Sequence, residues 1–465
     1  MAKINRVMKA KGGAPVKKNE TIEATVIDIT YQGMGVVKID QYPVFVPDAL
    51  PGELIQVGIT KVLKSYAFGR LVKRLKASPD RVENKNKALI TSGIAPLVNL
   101  KYSAQLLFKQ NQVQQLFKKM NIDVTVAPTI GMENPTAYRN KAQVPVQEIN
   151  GQLETGFYRR GSHKLVPTNH FYIQDPKIDE AVSIVRDVLR ELKISAYDED
   201  TKKGTIRHIM VRRGYYSHEL MVVIITHTAK LLGSDIIIKK LREQLPELKS
   251  LIHNVNNKMT NVIMGEDNRV MWGEDHIHDQ LLDLDFVIGP NSFYQVNPQT
   301  TSVLYQLAAD KAQLKPQDVV VDAYSGIGTI TLSIANRVKK VYGVEIVQQA
   351  VVDAQLNAKN NQISNVSFIA KDAPEQMAQW AAEGLKPDVL FVDPPRKGLT
   401  EDLIEAISSM DTKTFVYISC NPATLARDAA QIIAAGYHID GDIQPLDQFP
   451  QTTHVETVAV FRKNH

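Results

Sequence analysis

Hydrophobic and polar positions along this chain fall into three successive rhythms. Up to about residue 76 the apolar residues come in short alternating runs: Ile22–Ile29, Gly35–Ile39, Val44–Val46, Leu54–Val62 and Phe68–Leu75. Gly33, Gly35, Pro47, Pro51 and Gly52 punctuate them. Alternation with frequent turn residues predicts a small β-barrel. Residues 78–98 show weak periodicity. Over Tyr102–Met120 the period changes, with Leu106, Leu107, Val113, Leu116 and Phe117 at helical spacing, which predicts an amphipathic helix. Residues 124–290 alternate again at Gln143–Gln147, Met210–Arg212 and Met221–Thr226. Helical patterns over Asp179–Leu192 and Ser234–Gln244 complete an α+β region.

From about Asn297 strand and helix patterns take turns. A helix over Thr300–Ala312 leads to strands at Val319–Asp322, Val341–Glu345, Val366–Ala370, Val389–Asp393 and Thr414–Cys420, with helices between. Continuous apolar strands of this kind predict a parallel sheet covered on both faces, a Rossmann-like α/β fold. The last two runs, Tyr437–Gln444 and Val455–Phe461, have no helix between them and predict an antiparallel edge pair. The expected organisation is a basic arm at 1–19, a barrel at 20–77, a central α+β domain at 78–290 and an α/β domain at 291–465. The helix over 102–120 is a candidate to pack on the last of these.

Composition adds bounds. A chain of 465 residues suits two or three domains. No apolar run approaches a membrane span, and the basic start has no apolar stretch after it, so a cytoplasmic protein without membrane attachment is expected. The single cysteine excludes a disulfide framework and a multi-cysteine metal site, and no metal is called for. Net charge is +5, but Met1–Lys76 holds 13 Lys/Arg against 6 Asp/Glu, so the rest is slightly acidic. A basic end on a near-neutral body suits attachment to a polyanion, although charge alone favours a solvated tail and a soluble small domain.

The chemistry gathers at the strand ends of the α/β domain. Val319–Asp322 runs into Ala-Tyr-Ser-Gly-Ile-Gly-Thr329. Gly326 and Gly328 permit a tight turn, but the third glycine of the dinucleotide fingerprint is replaced by Thr331. With Glu345 ending the next strand, placed to accept hydrogen bonds from ribose hydroxyls, the pattern suits an adenosine-type ligand without a pyrophosphate. Asp372 follows the third strand, and Asp393-Pro-Pro-Arg-Lys-Gly398 follows the fourth. A functional loop and a helix cap are both open to Asp393. Cys420 ends the fifth strand just before a helix, where a thiol pKa is commonly lowered. Glu456 begins the last strand and is either a general base beside Cys420 or a solvated strand end.

Together, Ser292-Phe-Tyr-Gln-Val-Asn297, Asp322–Thr329, Asp393–Gly398, Ser419-Cys-Asn-Pro-Ala-Thr-Leu425 and His454-Val-Glu-Thr457 closely resemble the motifs of the RNA uridine-5-methyltransferase family. Tyr31-Gln-Gly-Met-Gly-Val36 and Val44–Glu53 resemble the TRAM domain that many members carry. Tyr138-Arg-Asn-Lys141 and Arg207–Gly214 resemble segments of the family's central domain. The resemblance covers nearly the whole chain. It implies a class I methyltransferase domain using S-adenosyl-L-methionine, with Cys420 attacking carbon 6 of uracil and Glu456 removing the carbon 5 proton. It also implies that Gln295, Tyr324, Glu345 and Asp393 contact the cofactor, with Asp372 a further candidate.

The TRAM-like barrel points to 23S ribosomal RNA as substrate, with transfer RNA as the alternative and a monomer as the expected state. Many members hold an iron–sulfur cluster on four cysteines before the helix near Tyr102. Here Ser92–Leu100 has none, so no cluster is expected. A non-catalytic RNA-binding factor and a folate-dependent methylase are the competing classes; the intact Cys420 and Glu456 disfavour the first and the lack of a flavin fingerprint the second.

Overall fold

In a computed structural model, residues 14–84, 86–159 and 161–464 are described; most of the expected basic arm, up to residue 13, lies outside them. The chain divides into two compact units, residues 1–105 with 451–453, and residues 106–450 with 454–465.

In the first unit a six-stranded sheet has the spatial order Thr21–Thr25, Leu54–Val62, Ala67–Lys76, Tyr42–Pro47, Met34–Ile39, Asp28–Ile29. Alternate residues turn inward, so Val37, Val44, Val46, Ile55, Val57 and Ile59 are buried together. Gly35 lets two chain segments touch, since a Cβ there would sit 2.5 Å from the Ala49 carbonyl oxygen. The run expected as Ile22–Ile29 is two strands, because Val26 and Ile27 leave the first pairing to bond Glu53 and Val36. Buried Glu53 accepts from Arg81 Nε at 2.5 Å and pairs with Arg74 at 2.9 Å. Burial raises its pKa, and Arg81, the Leu50 amide and Arg74 more than offset this, leaving it below the usual carboxylate value. The weakly patterned stretch after residue 78 contains one short helix, Lys87–Ser92.

The second unit holds two large sheets. The first has seven strands, in the order Asp267–Gly273, Leu248–Val255, Leu220–Thr226, Ile206–Arg213, Lys141–Ile149, Gln152–Tyr158, Leu165–Pro167. Helices Pro176–Glu191 and Ser234–Gln244 accompany it, and a hairpin, Ile277–Leu281 with Leu284–Ile288, leads onward.

The second sheet follows helix α1 (Pro298–Ala312). Its strands are β1 (Val319–Asp322), β2 (Lys340–Glu345), β3 (Val366–Ala370), β4 (Val389–Val392), β5 (Thr414–Ser419), β6 (Tyr437–Ile439), β7 (Gln444–Leu446) and β8 (Glu456–Lys463). The helices between are α2 (Thr329–Ile334), α3 (Gln348–Asn360), α4 (Ala373–Ala382), α5 (Glu401–Ser409) and α6 (Pro422–Ala434). The order is β3-β2-β1-β4-β5-β8-β6, with β7 also on β8; β1 to β5 are parallel and β8 runs antiparallel to β5. The single run expected over Tyr437–Gln444 is broken into β6 and β7. Gly441 adopts φ +72° there, and the Ile443 amide turns away to bond the Thr125 carbonyl.

Two apolar layers cover the sheet. Val113 and Phe117, from the helix Tyr102–Lys119, join Leu390, Val392 and Phe415 on one face, while Val320, Phe391, Val416, Ile418 and Val458 lie on the other with Leu304 and Tyr305 of α1. Below that sheet edge Lys109 is fully buried and donates to Asp447 at 2.5 Å and to the Phe449 carbonyl at 3.1 Å. Among the described residues, no helix is long and apolar enough to cross a membrane.

Candidate active site

Strand alternation decides which side chains share a face at the sheet's carboxyl edge. Val320, Phe391, Ile418 and Val458 occupy one core layer. Two residues beyond them along β1, β4 and β5 come Asp322, Asp393 and Cys420. On the antiparallel β8, two residues before Val458, comes Glu456. The register pairs Ser419 with Thr457, so the next pair outward sets Cys420 across from Glu456. One thiol and three carboxylates therefore emerge at one level.

The electrostatics report the same proximity. Burial raises the Asp322 pKa to about 6 despite the Thr331 hydroxyl, which donates to Asp322 Oδ2 at 2.7 Å. Burial first, and then Asp322, push Asp393 up to about 7. Burial and Asp393 together hold Glu456 well above the usual carboxylate range, against the pull of the Arg396 guanidinium. The half-buried Cys420 thiol is pushed up to about 11 by burial, then by Glu456 and Asp393, with Arg396 opposing. This corrects the expectation of a lowered thiol pKa. Asn421 caps α6 through its own side chain, and two buried acids outweigh that helix terminus. His454, nearby in sequence, is held neutral, its pKa drawn down to about 4 by burial and by Arg396.

The Gly-rich turn makes the other half of the site. Gly326 (φ +53°) and Gly328 (φ +90°) take the left-handed backbone that glycine allows. Glu345 at the end of β2 accepts the Gly326 amide at 3.1 Å through Oε2 and the Val347 amide at 2.8 Å through Oε1. Each oxygen keeps a lone pair for a further donor. Among the described residues, Asp322 Oδ1 and Ser325 Oγ are buried without a hydrogen-bond partner, and unpaired buried polar atoms in a binding loop call for a ligand. Tyr324 is pushed up to about 12 by burial and then by Asp372, which places Asp372, at the start of α4, beside it. Asp372 thus lies by the turn rather than in the Cys420 cluster.

Gln295 is buried. Its backbone carbonyl accepts from Asn140 Nδ2 at 3.1 Å, and its side chain bonds Tyr305 of α1, which in turn faces Asp393. All seven residues singled out from the sequence thus border the carboxyl edge of this sheet. Two neighbours were not singled out. Arg396 lies inside the Asp393–Gly398 motif, where nothing local marks its role, and Asp322 opens the glycine turn; two-residue alternation from Val320 points to the latter.

A line of carboxylates from Glu345 through Asp322 and Asp393 to Glu456, bordered by a glycine turn, suits a cationic ligand with a ribose; the residues fit S-adenosyl-L-methionine in charge and in hydrogen-bonding type. An open cavity of about 770 Å³ on the central sheet, lined by residues including Tyr158, Tyr197, Asp198 and Arg207, contains none of these groups.

Sheet order and a glycine turn at the carboxyl edge, with a thiol and a carboxylate on adjacent strands beside it, are the features of a nucleoside-binding α/β transferase fold. The family model described as tRNA (uracil-5-)-methyltransferase matches residues 101–464, and a TRAM domain model matches residues 15–72. The chain belongs to the tRNA (uracil-5-)-methyltransferase family. It is similar to a Lactiplantibacillus plantarum protein named an uncharacterized RNA methyltransferase, 54% identical over 454 residues, 97% of this chain and 99% of that one. An Enterococcus faecalis protein of the same name is 48% identical over 451 residues, 97% of this chain and 98% of that one. Among solved structures, the tRNA (uracil-54, C5)-methyltransferase of Pyrococcus abyssi in complex with S-adenosyl-L-homocysteine superposes with a TM-score of 0.77 at 26% identity. The match covers 95% of this chain and all of that one.

Proposed function

We propose that this protein transfers a methyl group from S-adenosyl-L-methionine to carbon 5 of a uridine in RNA, acting as a cytoplasmic monomer on large-subunit ribosomal RNA. The observation that carries the reaction is the placement of Cys420 against Glu456 on adjacent strands, at the edge that holds the glycine turn.

Carbon 5 of uracil is a weak nucleophile. The Cys420 thiol gives up its proton to solvent, the thiolate adds to carbon 6, and the electron pair of the 5,6 double bond moves into an enolate, so carbon 5 becomes nucleophilic. When bound, S-adenosyl-L-methionine supplies the electrophilic methyl and a positive charge. Arg396 favours the thiolate needed for attack. Once carbon 5 carries the methyl, ionised Glu456 takes its remaining proton. The carbon 6–sulfur bond then breaks, restoring the ring and the thiolate. The raised pKa of Glu456 makes it a stronger base than an exposed carboxylate. Glu456 is buried and Cys420 half-buried, so a stacked base cannot reach them; the uridine is unstacked or flipped into the site.

The RNA reading draws on the first unit. Phe45, Tyr66 and Phe68 cluster on the barrel with ring centroids 5.6–5.9 Å apart, and Tyr31 is 70% exposed. Half-exposed rings beside basic strands suit unpaired bases. The TRAM-type barrel favours a ribosomal target. A second reading, transfer RNA, is favoured by the Pyrococcus abyssi neighbour, whose match extends over 95% of this chain and so includes barrel residues.

RNA carrying 5-fluorouridine tests the chemistry. Fluorine cannot leave as a proton, so the protein and S-adenosyl-L-methionine should form an adduct that survives denaturation. Its formation by Cys420→Ala, or its absence in the native protein with RNA that is otherwise methylated, contradicts the mechanism.

A further inference from the structure

From the end of the central sheet into the first strand of the hairpin that follows it, the chain reads Gly273-Glu-Asp-His-Ile-His-Asp279. Glu274, His276 and His278 alternate on one side of this segment, and one ligating atom from each lies within 4.8 Å of the others. From these residues we infer a binding site for a divalent transition-metal ion of the Zn²⁺ type, formed by Glu274, His276 and His278 with Glu219 beside them.

The arrangement of ring nitrogens supports this. His276 Nδ1 lies 2.6 Å from Asp275 Oδ1, while its Nε2 lies 3.2 Å from Glu274 Oε2. Asp275 thus stands behind one ring nitrogen, while the other ring nitrogen and the Glu274 carboxylate come together on the side where the three ligating atoms converge. His278 repeats the pattern: its Nδ1 lies 3.2 Å from Glu219 Oε2, and its backbone amide donates to the same oxygen at 2.7 Å. A carboxylate behind each imidazole fixes the tautomer and orients the ring, as in most histidine metal sites. The rings stand edge to face with centroids 4.9 Å apart, so both can turn a nitrogen to a common point.

The donor set selects the ion. Two imidazoles with a carboxylate favour Zn²⁺ and its first-row neighbours, whereas Mg²⁺ and Ca²⁺ prefer oxygen alone. Tetrahedral Zn²⁺ with ligands at about 2.0–2.1 Å needs donor separations of about 3.4 Å, which side-chain rotation reaches from the spacing seen. The side chains are 27% exposed for His276, 44% for His278 and 54% for Glu274, so an ion can enter from solvent.

The site also has structural reach. Asp279, the residue after His278, accepts the Tyr215 and Tyr216 amides at 2.9 Å each and the Tyr294 hydroxyl at 3.4 Å. An ion here would tie the 217–219 turn to the hairpin that leads into the Ser292–Asn297 segment.

The test is calorimetric titration of the full chain with Zn²⁺, repeated with Co²⁺ followed by absorption, on the native protein and on His276→Ala and His278→Ala. Circular dichroism and S-adenosyl-L-homocysteine binding serve as folding controls. We expect one equivalent bound, a tetrahedral Co²⁺ spectrum, at least tenfold weaker binding in each variant, and no displacement by excess Mg²⁺. Absence of binding, equal affinity in native protein and either variant, or displacement by Mg²⁺ overturns the assignment.

Discussion

The acids at the sheet edge should couple methyl-donor affinity to pH. Asp393, with its pKa pushed up to about 7, and Asp322, at about 6, are partly protonated near neutrality because burial and their mutual repulsion oppose two negative charges. A cationic sulfonium is stabilised by the ionised forms, so its binding should release protons. From pH 6 to pH 8 a group of pKa 7 goes from about one-tenth to about nine-tenths ionised, which corresponds to about a tenfold gain in affinity, or ~1.4 kcal/mol. S-adenosyl-L-homocysteine lacks the sulfonium charge and should gain no more than ~2-fold on the same linkage. Titration calorimetry of both ligands between pH 6 and 8, with Asp393→Asn as control, reads this directly. The variant should flatten the difference between the ligands. Parallel pH dependence for the two ligands in the native protein, or a pH-dependent difference that persists in Asp393→Asn, would refute the reasoning. The same substitution has a stability signature. An acid whose folded pKa is raised contributes stability that is fully present below its unfolded value near 3.8 and declines as pH rises to about 7. Asp393→Asn should therefore raise the melting temperature at pH 8, while an unchanged or lower value would argue against that burial cost.

Two further outcomes follow from other groups. Alkylation of Cys420 by iodoacetamide in the ligand-free protein should rise with pH toward an apparent pKa of about 11, and Arg396→Gln should slow it further at any given pH; a plateau already reached at pH 9 would mean that the thiol is not held neutral by its acidic neighbours. Lys109→Met removes the buried ammonium that Asp447 accepts from and should destabilise the protein by about 3–5 kcal/mol in denaturant unfolding, the usual cost of breaking a buried pair, with Asp447→Asn recovering part of it; a loss below ~1 kcal/mol would show that the pair is solvated.

Much of the site was legible before the structure because strand alternation is a local signal. Val319–Asp322 and Val366–Ala370 have the bounds that the apolar pattern gave, and the β8 run is marked in the sequence by the apolar stretch Val458-Ala-Val-Phe461. What escaped was set by long-range contact. Lys109 and Asp447 are 338 residues apart, and nothing near either residue marks the other as its partner. The break between β6 and β7 arises where Ile443 bonds Thr125, a partner invisible to periodicity. The direction of the Cys420 shift depends on Glu456 and Asp393 arriving from two other strands, whereas the helix after it, the one local cue, pointed the other way. Arg396 lay in a recognised loop, but its pull on Cys420 and Glu456 emerges only when β4, β5 and β8 are side by side.

The most direct measurement supplies S-adenosyl-L-methionine labelled at its methyl to native protein and to Cys420→Ala, with unmodified ribosomal RNA and, separately, unmodified transfer RNA, and maps the label by nucleotide. The account predicts 5-methyluridine in large-subunit ribosomal RNA with the native protein and none with Cys420→Ala. Label confined to transfer RNA would move the substrate while keeping the chemistry; label at any position other than carbon 5 of uridine, or undiminished label with Cys420→Ala, would contradict the central claim.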